Sequence, residues 1–215
     1  MDVDFAPLLI SSAELVKDNW QATVSALFGT FLGAYFAFLF ERRHSEAKER
    51  EESIASAKSA QFAIWTQLNI AKNIRKQVLD PMRDDPDRHL TMKPFAVHAK
   101  FSTLNIASLT FILKGDGAHL LGEIMLSEQM FNTLIGALEQ RNVRHESMQQ
   151  RISRLGEEAG LDKSTKAILK DMTDSIYGLG DDAVQHLEQA FEHLRIYIEK
   201  EFSGVRALFV VSKLT

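Results

Sequence analysis

The chain has 215 residues, a formal net charge of −4 and no cysteine. Disulfides, thiolate zinc sites and cysteine nucleophiles are thereby excluded, and no excess of positive charge is present to bind nucleic acid directly. With only 11 Gly and 4 Pro, and with Ala, Leu, Glu, Gln and Lys frequent, the composition predicts an all-α chain, long enough for a membrane anchor and one globular domain.

Residues 1–18 are read as a short N-terminal segment, acidic at Asp2 and Asp4. From Asn19 to Phe40 no residue is charged. Gln21–Phe40 would span about 30 Å as a helix, the thickness of a bilayer's hydrocarbon core. Nine of these residues are Val, Leu or Phe; at roughly −0.3 to −0.6 kcal/mol each they favour insertion by about 3 to 5 kcal/mol. Trp20 closes one end, and Arg42 and Arg43 the other. A cleaved signal peptide has a basic start and a shorter apolar core, and a buried soluble helix has a polar face. Residues 19–40 are therefore predicted to be a transmembrane helix in contact with the lipid bilayer.

Orientation follows from the basic residues. Lys17 alone precedes the span, whereas Arg42, Arg43, Lys48 and Arg50 follow it closely. The positive-inside rule places the C-terminal part in the cytoplasm and the N-terminus outside a bacterial inner (plasma) membrane. Small residues recur along the span every four positions: Ser25, Gly29, Gly33 and Ala37, with a second stripe of Ala22, Ala26, Thr30 and Ala34. Such stripes let helices approach closely in lipid, so a homo-oligomer is expected.

Residues 41–80 are predicted to continue the same helix out of the membrane, since neither Gly nor Pro occurs between Tyr35 and Asp80. ERRHSEAKEREE mixes both signs on a solvated face. Ile54, Ala57, Gln61, Trp65, Leu68 and Ala71 then mark a stripe that should pack on the remaining domain, 81–215. Residues 80–94 read as a loop, from three prolines and several aspartates. Helices are predicted over about 95–113, 118–155, 162–177 and 181–202, with KGDG, GEEAG and GLGD as breaks. The longest carries a 4-3 seam: Leu120, Ile124, Ser127, Phe131, Leu134, Leu138, Arg141, His145, Met148, Ile152 and Leu155. Val184, Leu187, Phe191, Leu194 and Ile198 form one face of the last helix. VRALFVV at 205–211 reads as a docked tail or a strand.

Site signatures are few. There is no phosphate loop, HExxH or GxSxG. His186 and His193 lie a heptad apart without a carboxylate to complete a metal site, and they read as surface or partly buried histidines. No metal and no cofactor is expected. The exception is RNVRHE, residues 141–146, where Arg141 and His145 occupy seam positions that call for apolar side chains. They form either a buried polar network that fixes bundle register or a site in which Arg steadies a phosphate and His moves a proton.

Arg141-Asn142, with His145 after three intervening residues, resembles the motif of HEPN-type domains. Those are helical bundles in which such Arg and His residues carry RNase activity at a dimer interface. The whole layout, one N-terminal span and a HEPN-like bundle, resembles the membrane-pore accessory proteins of RNA-targeting type VI-B CRISPR systems. The resemblance implies an oligomeric membrane protein, a pore or membrane effector in phage defence, controlled by its cytoplasmic domain and working beside a cytosolic protein or RNA-bound effector. Arg141, Asn142 and His145 would be its catalytic residues if it is a membrane-tethered RNase. A membrane-anchored scaffold that recruits a cytosolic partner is the third reading.

Overall fold

The computed structural model describes residues 6–95, 103–114, 117–155 and 163–205. All regular structure among them is helical: α1 (Ala6–Ile74), a π-helical turn (Arg75–Leu79), a 3-10 turn (Asp80–Met82), α2 (Arg88–Thr91), a 3-10 helix (Ile106–Leu113), α3 (Ala118–Leu155) and α4 (Lys163–Glu201). The chain divides into two compact units, Met1–Glu52 and Ser53–Thr215.

In the first unit the large apolar side chains that are described lie mostly exposed. Trp20, Phe28, Phe31, Phe36, Phe38 and Phe40 each expose more than half of their surface. Soluble proteins do not ordinarily leave so many large apolar side chains contiguous and uncovered. Among the described residues this is the one helix long and apolar enough to cross a membrane. Thr30 satisfies its hydroxyl within the helix, donating to the Ala26 carbonyl at 2.8 Å.

The second unit holds the core. Residues of α1 from Ser53 onward join it, with Ala57, Ile64, Leu68, Ala71 and Ile74 buried and Ile54 and Trp65 packed at its edge. The predicted stripe therefore faces inward, Gln61 included. The Lys72 ammonium meets the Glu188 carboxylate of α4 at 2.7 Å. The expected helix does run without a break to the π-helical turn. There the Asp80 N–H bonds to the Arg75 carbonyl, five residues back. Pro81, next in line, has no N–H to give, and the widened turn ends the helix.

α3 keeps the predicted bounds, and its seam is buried from Leu120 through Met148. Its spacing of three and four keeps one face toward α4. On α4 the predicted apolar face, Val184 to Ile198, is likewise buried.

Three expectations are corrected. Helices over 162–177 and 181–202 are one helix, α4. Gly178 and Gly180 signal a break because glycine costs a helix interior about 1 kcal/mol. Packing overrides that cost: Leu79 is fully buried, and its Cδ1 lies 2.7 Å from where a Cβ on Gly180 would stand. The glycine admits the π-helical turn against α4. Second, the helix expected over about 95–113 is not continuous: residues 103–105 are not helical and 106–113 form a 3-10 helix, while 96–102 lie outside the described residues. Ile106, Leu109 and Ile112 recur every third residue, which matches three residues per turn and puts them on one edge. Third, residues 80–94 are not all loop, since the 3-10 turn and α2 lie within them. The GEEAG break and the tail beyond Val205 lie outside the described residues.

Candidate functional site

Three elements meet around Arg141: the middle of α3, the Leu169–Tyr177 stretch of α4 and residues 80–95. The last carries α2 and is fastened from both sides. Toward α4, Arg83 makes a two-pronged pair with Asp181, at 3.0 Å on each oxygen. Arg88 gives Nε and Nη2 to Asp174 Oδ1, at 3.1 and 2.7 Å. The Arg88 guanidinium also lies over the Tyr177 ring, 4.3 Å from its centroid, a cation–π contact. These groups are part-exposed, so each ion pair is worth about 1 kcal/mol or less.

Toward α3 the fastening is buried. Arg141 has no exposed surface. Its Nη2 donates to the Met92 carbonyl at 2.7 Å and to the His89 carbonyl at 3.4 Å. Its Nε donates to Thr173 Oγ1 at 3.3 Å, and that hydroxyl donates in turn to the Leu169 carbonyl at 2.7 Å. Asn142 reads the backbone of Phe95 from both sides: Nδ2 donates to its carbonyl at 2.7 Å, and Oδ1 accepts its N–H at 3.4 Å. The carbonyls of His89, Met92 and Phe95 thus find donors on α3.

His145 stands one turn beyond Arg141, 3% exposed. Its Nε2 and Gln149 Nε2 lie 3.0 Å apart, and the Arg141 Nη1 and His145 Nδ1 have no hydrogen-bond partner among the described residues. Burial, and then the Arg141 charge, push the imidazole below its ordinary value. Burial also lowers Arg141, while Tyr177 pulls it the other way. Among the described residues no carboxylate pairs with the guanidinium, and its two bonded nitrogens are spent on neutral oxygens. So placed, Arg141 ties residues 89–92 to the bundle.

The structure therefore brings Arg141, Asn142 and His145 together, as their spacing on one helix requires. The sequence reading missed their partners, Met92, Phe95, His89 and Thr173, because carbonyls and distant hydroxyls leave no pattern. Arg83, Arg88, Asp174 and Asp181 were missed as well, although the alternating charges of DPMRDDPDRH hint at ion pairs. His193 is exposed and 2.7 Å from Glu123 Oε2, and His186 is half-buried. Among the described residues no metal-binding group is found.

The second predicted site, Ser25, Gly29, Gly33 and Ala37, is exposed along the apolar helix. A Cβ added at Gly29 or Gly33 would meet nothing within 4 Å. Ala26, Thr30 and Ala34 are exposed too; the side chain of Ala22 lies outside the described residues. Comparison with protein-family models, with characterised proteins and with solved structures finds no match.

Proposed function

We propose that this chain is a bacterial inner-membrane protein that spans once through residues 19–40 and assembles with copies of itself through that span. The oligomer acts as a pore or membrane effector in phage defence, and the helical unit Ser53–Thr215 stands on the cytoplasmic side and controls it. The supporting observation is the exposed apolar surface of Trp20 and residues 24–40 beside a glycine stripe with open space around it. Lipid suits the aromatic surface, and a second helix suits the stripe. One helix cannot enclose a channel, so a pore requires several copies.

Phage defence rests on the resemblance to type VI-B CRISPR accessory proteins, as does the HEPN-like reading of the bundle. The burial of Arg141 supports a structural role for the Arg-Asn-His group over the membrane-tethered RNase. The partners in this reading are the bilayer, further copies of the chain and a cytosolic effector.

The test is the particle size of the full chain in mild detergent, with an image of the particle. A closed ring of several copies agrees with the proposal. A monomer would remove it and leave a membrane-anchored scaffold.

A further inference from the structure

We propose that residues 80–95 form an acid-released clasp: a proton taken up by the buried His145 undoes the attachment of this segment to α3. The clasp is built unevenly. Its outer bonds are part-exposed ion pairs to α4, and its inner bonds are buried and run from a single helix turn, Arg141 and Asn142. The segment's own backbone bonds close short turns: Arg83 donates to the Asp80 carbonyl, Asp85 to that of Met82, Arg88 to that of Asp85, Leu90 and Thr91 to that of Asp87, and Met92 to that of Arg88. These bonds stay within the segment, so its seating rests on its side chains and on the bonds from α3.

The groups around the inner bonds leave no place for a second charge. His145 meets Gln149 and Arg141 on its own helix. From α4, Thr173 and the Tyr177 ring face Arg141. His89 comes from the clasp, 3% exposed, with neither ring nitrogen partnered among the described residues. Its neighbour Asp85 is occupied by the Thr91 hydroxyl and the Asp87 N–H. A protonated His145 would be a second buried cation beside an uncompensated Arg141, which is among the costliest arrangements in a protein interior. Water can relieve it only if one element moves. α3 and α4 are long continuous helices, whereas the clasp is short-turned and held by four polar side chains and the burial of Met92 and His89, so the clasp parts first.

The folded-state value of His145 lies below its ordinary value of 6.5. The clasp is thus fully seated above about pH 6.5 and loosens as pH falls below it. Opening would strip the Met92 and His89 carbonyls from Arg141 and uncover its guanidinium.

The experiment is hydrogen exchange on the full chain in detergent at pH 7.5 and 5.0, expressed as protection factors. Those of Leu90, Thr91 and Met92 should fall about tenfold, within the limit that one histidine of ordinary value 6.5 allows. Amides near Leu187 in α4 should hold theirs. In His145→Gln the fall should shrink to less than about twofold; His145→Met, neutral and similar in volume, serves if the glutamine variant does not fold. An unchanged clasp in the natural chain overturns the proposal. So does an equal fall in the His145 variants, a fall abolished only by His89→Gln, or simultaneous loss of the α4 amides.

Discussion

Arg141 on α3 holds the carbonyl of Met92, 49 residues earlier, at 2.7 Å. This single bond defines what the polar interruption of the seam accomplishes. An apolar residue at 141 would pack α3 against α4 equally well, but it would leave the backbone after α2 without donors. The guanidinium reaches across the core and supplies them, and Asn142 does the same for Phe95. The buried guanidinium thereby holds the end of α2 against α3.

Replacing that side chain measures its worth. Arg141→Ala strands the carbonyls of His89 and Met92 and opens a large cavity, so it should cost about 2 to 4 kcal/mol, or a Tm lower by about 5 to 10 °C. His145→Ala should cost less, since the hydrogen bond of His145 is to Gln149 on its own helix. Thermal melting beside a cellular assay of function separates two roles. Lost function with an unchanged Tm in either variant would identify a chemical site and overturn the structural reading.

The glycines of α4 should respond in opposite ways. Gly178 is exposed with open space around it, so Gly178→Ala should stabilise by about 0.5 to 1 kcal/mol through helix propensity alone. Gly180→Ala meets Leu79 Cδ1 at 2.7 Å and should forfeit that gain. The difference should narrow in a Leu79→Ala background, where the obstacle is gone. Equal effects of the two alanines in the natural background would show that the Leu79 contact does not shape α4.

These two places also mark what the sequence could disclose. Periodicity found α3 to its ends and found the buried face of α4, because both depend on side chains spaced by the helix itself. Gly178 and Gly180 misled, since propensity is local and the approach of Leu79 is not. The polar seam was legible as an anomaly: Arg141 and His145 break a strict apolar pattern. Its purpose was not, because a carbonyl 49 residues away carries no side-chain signal. Over 106–113 the three-residue spacing of Ile106, Leu109 and Ile112 was visible but was overlooked in favour of the commoner period.

Membrane orientation is checked by labelling. Since the chain has no natural cysteine, one Cys can be placed at position 5 and, in a second variant, one at position 85. On intact spheroplasts an impermeant thiol reagent should modify the first and spare the second, as the basic residues after Phe40 require. The reverse pattern would put the helical unit outside and remove any cytosolic partner.

The glycine stripe of the apolar helix gives the last prediction. Gly29 and Gly33 lie one turn apart, and neither has a neighbour within 4 Å in the isolated chain. Leucine at both positions therefore strains nothing within one subunit, and it is more apolar than glycine, so insertion is unharmed. Between two helices it acts otherwise. Association in lipid depends on close backbone contact, because lipid tails are as apolar as leucine and supply no hydrophobic drive. Gly29→Leu with Gly33→Leu should leave the protein at normal abundance in the membrane and reduce its particle size in detergent. Any depolarisation that the natural chain causes on activation should be lost with it. Residues 53–205 can still hold copies together, so a smaller oligomer satisfies the prediction as well as a monomer does. A particle of unchanged size and activity would move the interface off Ser25, Gly29, Gly33 and Ala37, and assembly would then belong to the helical unit.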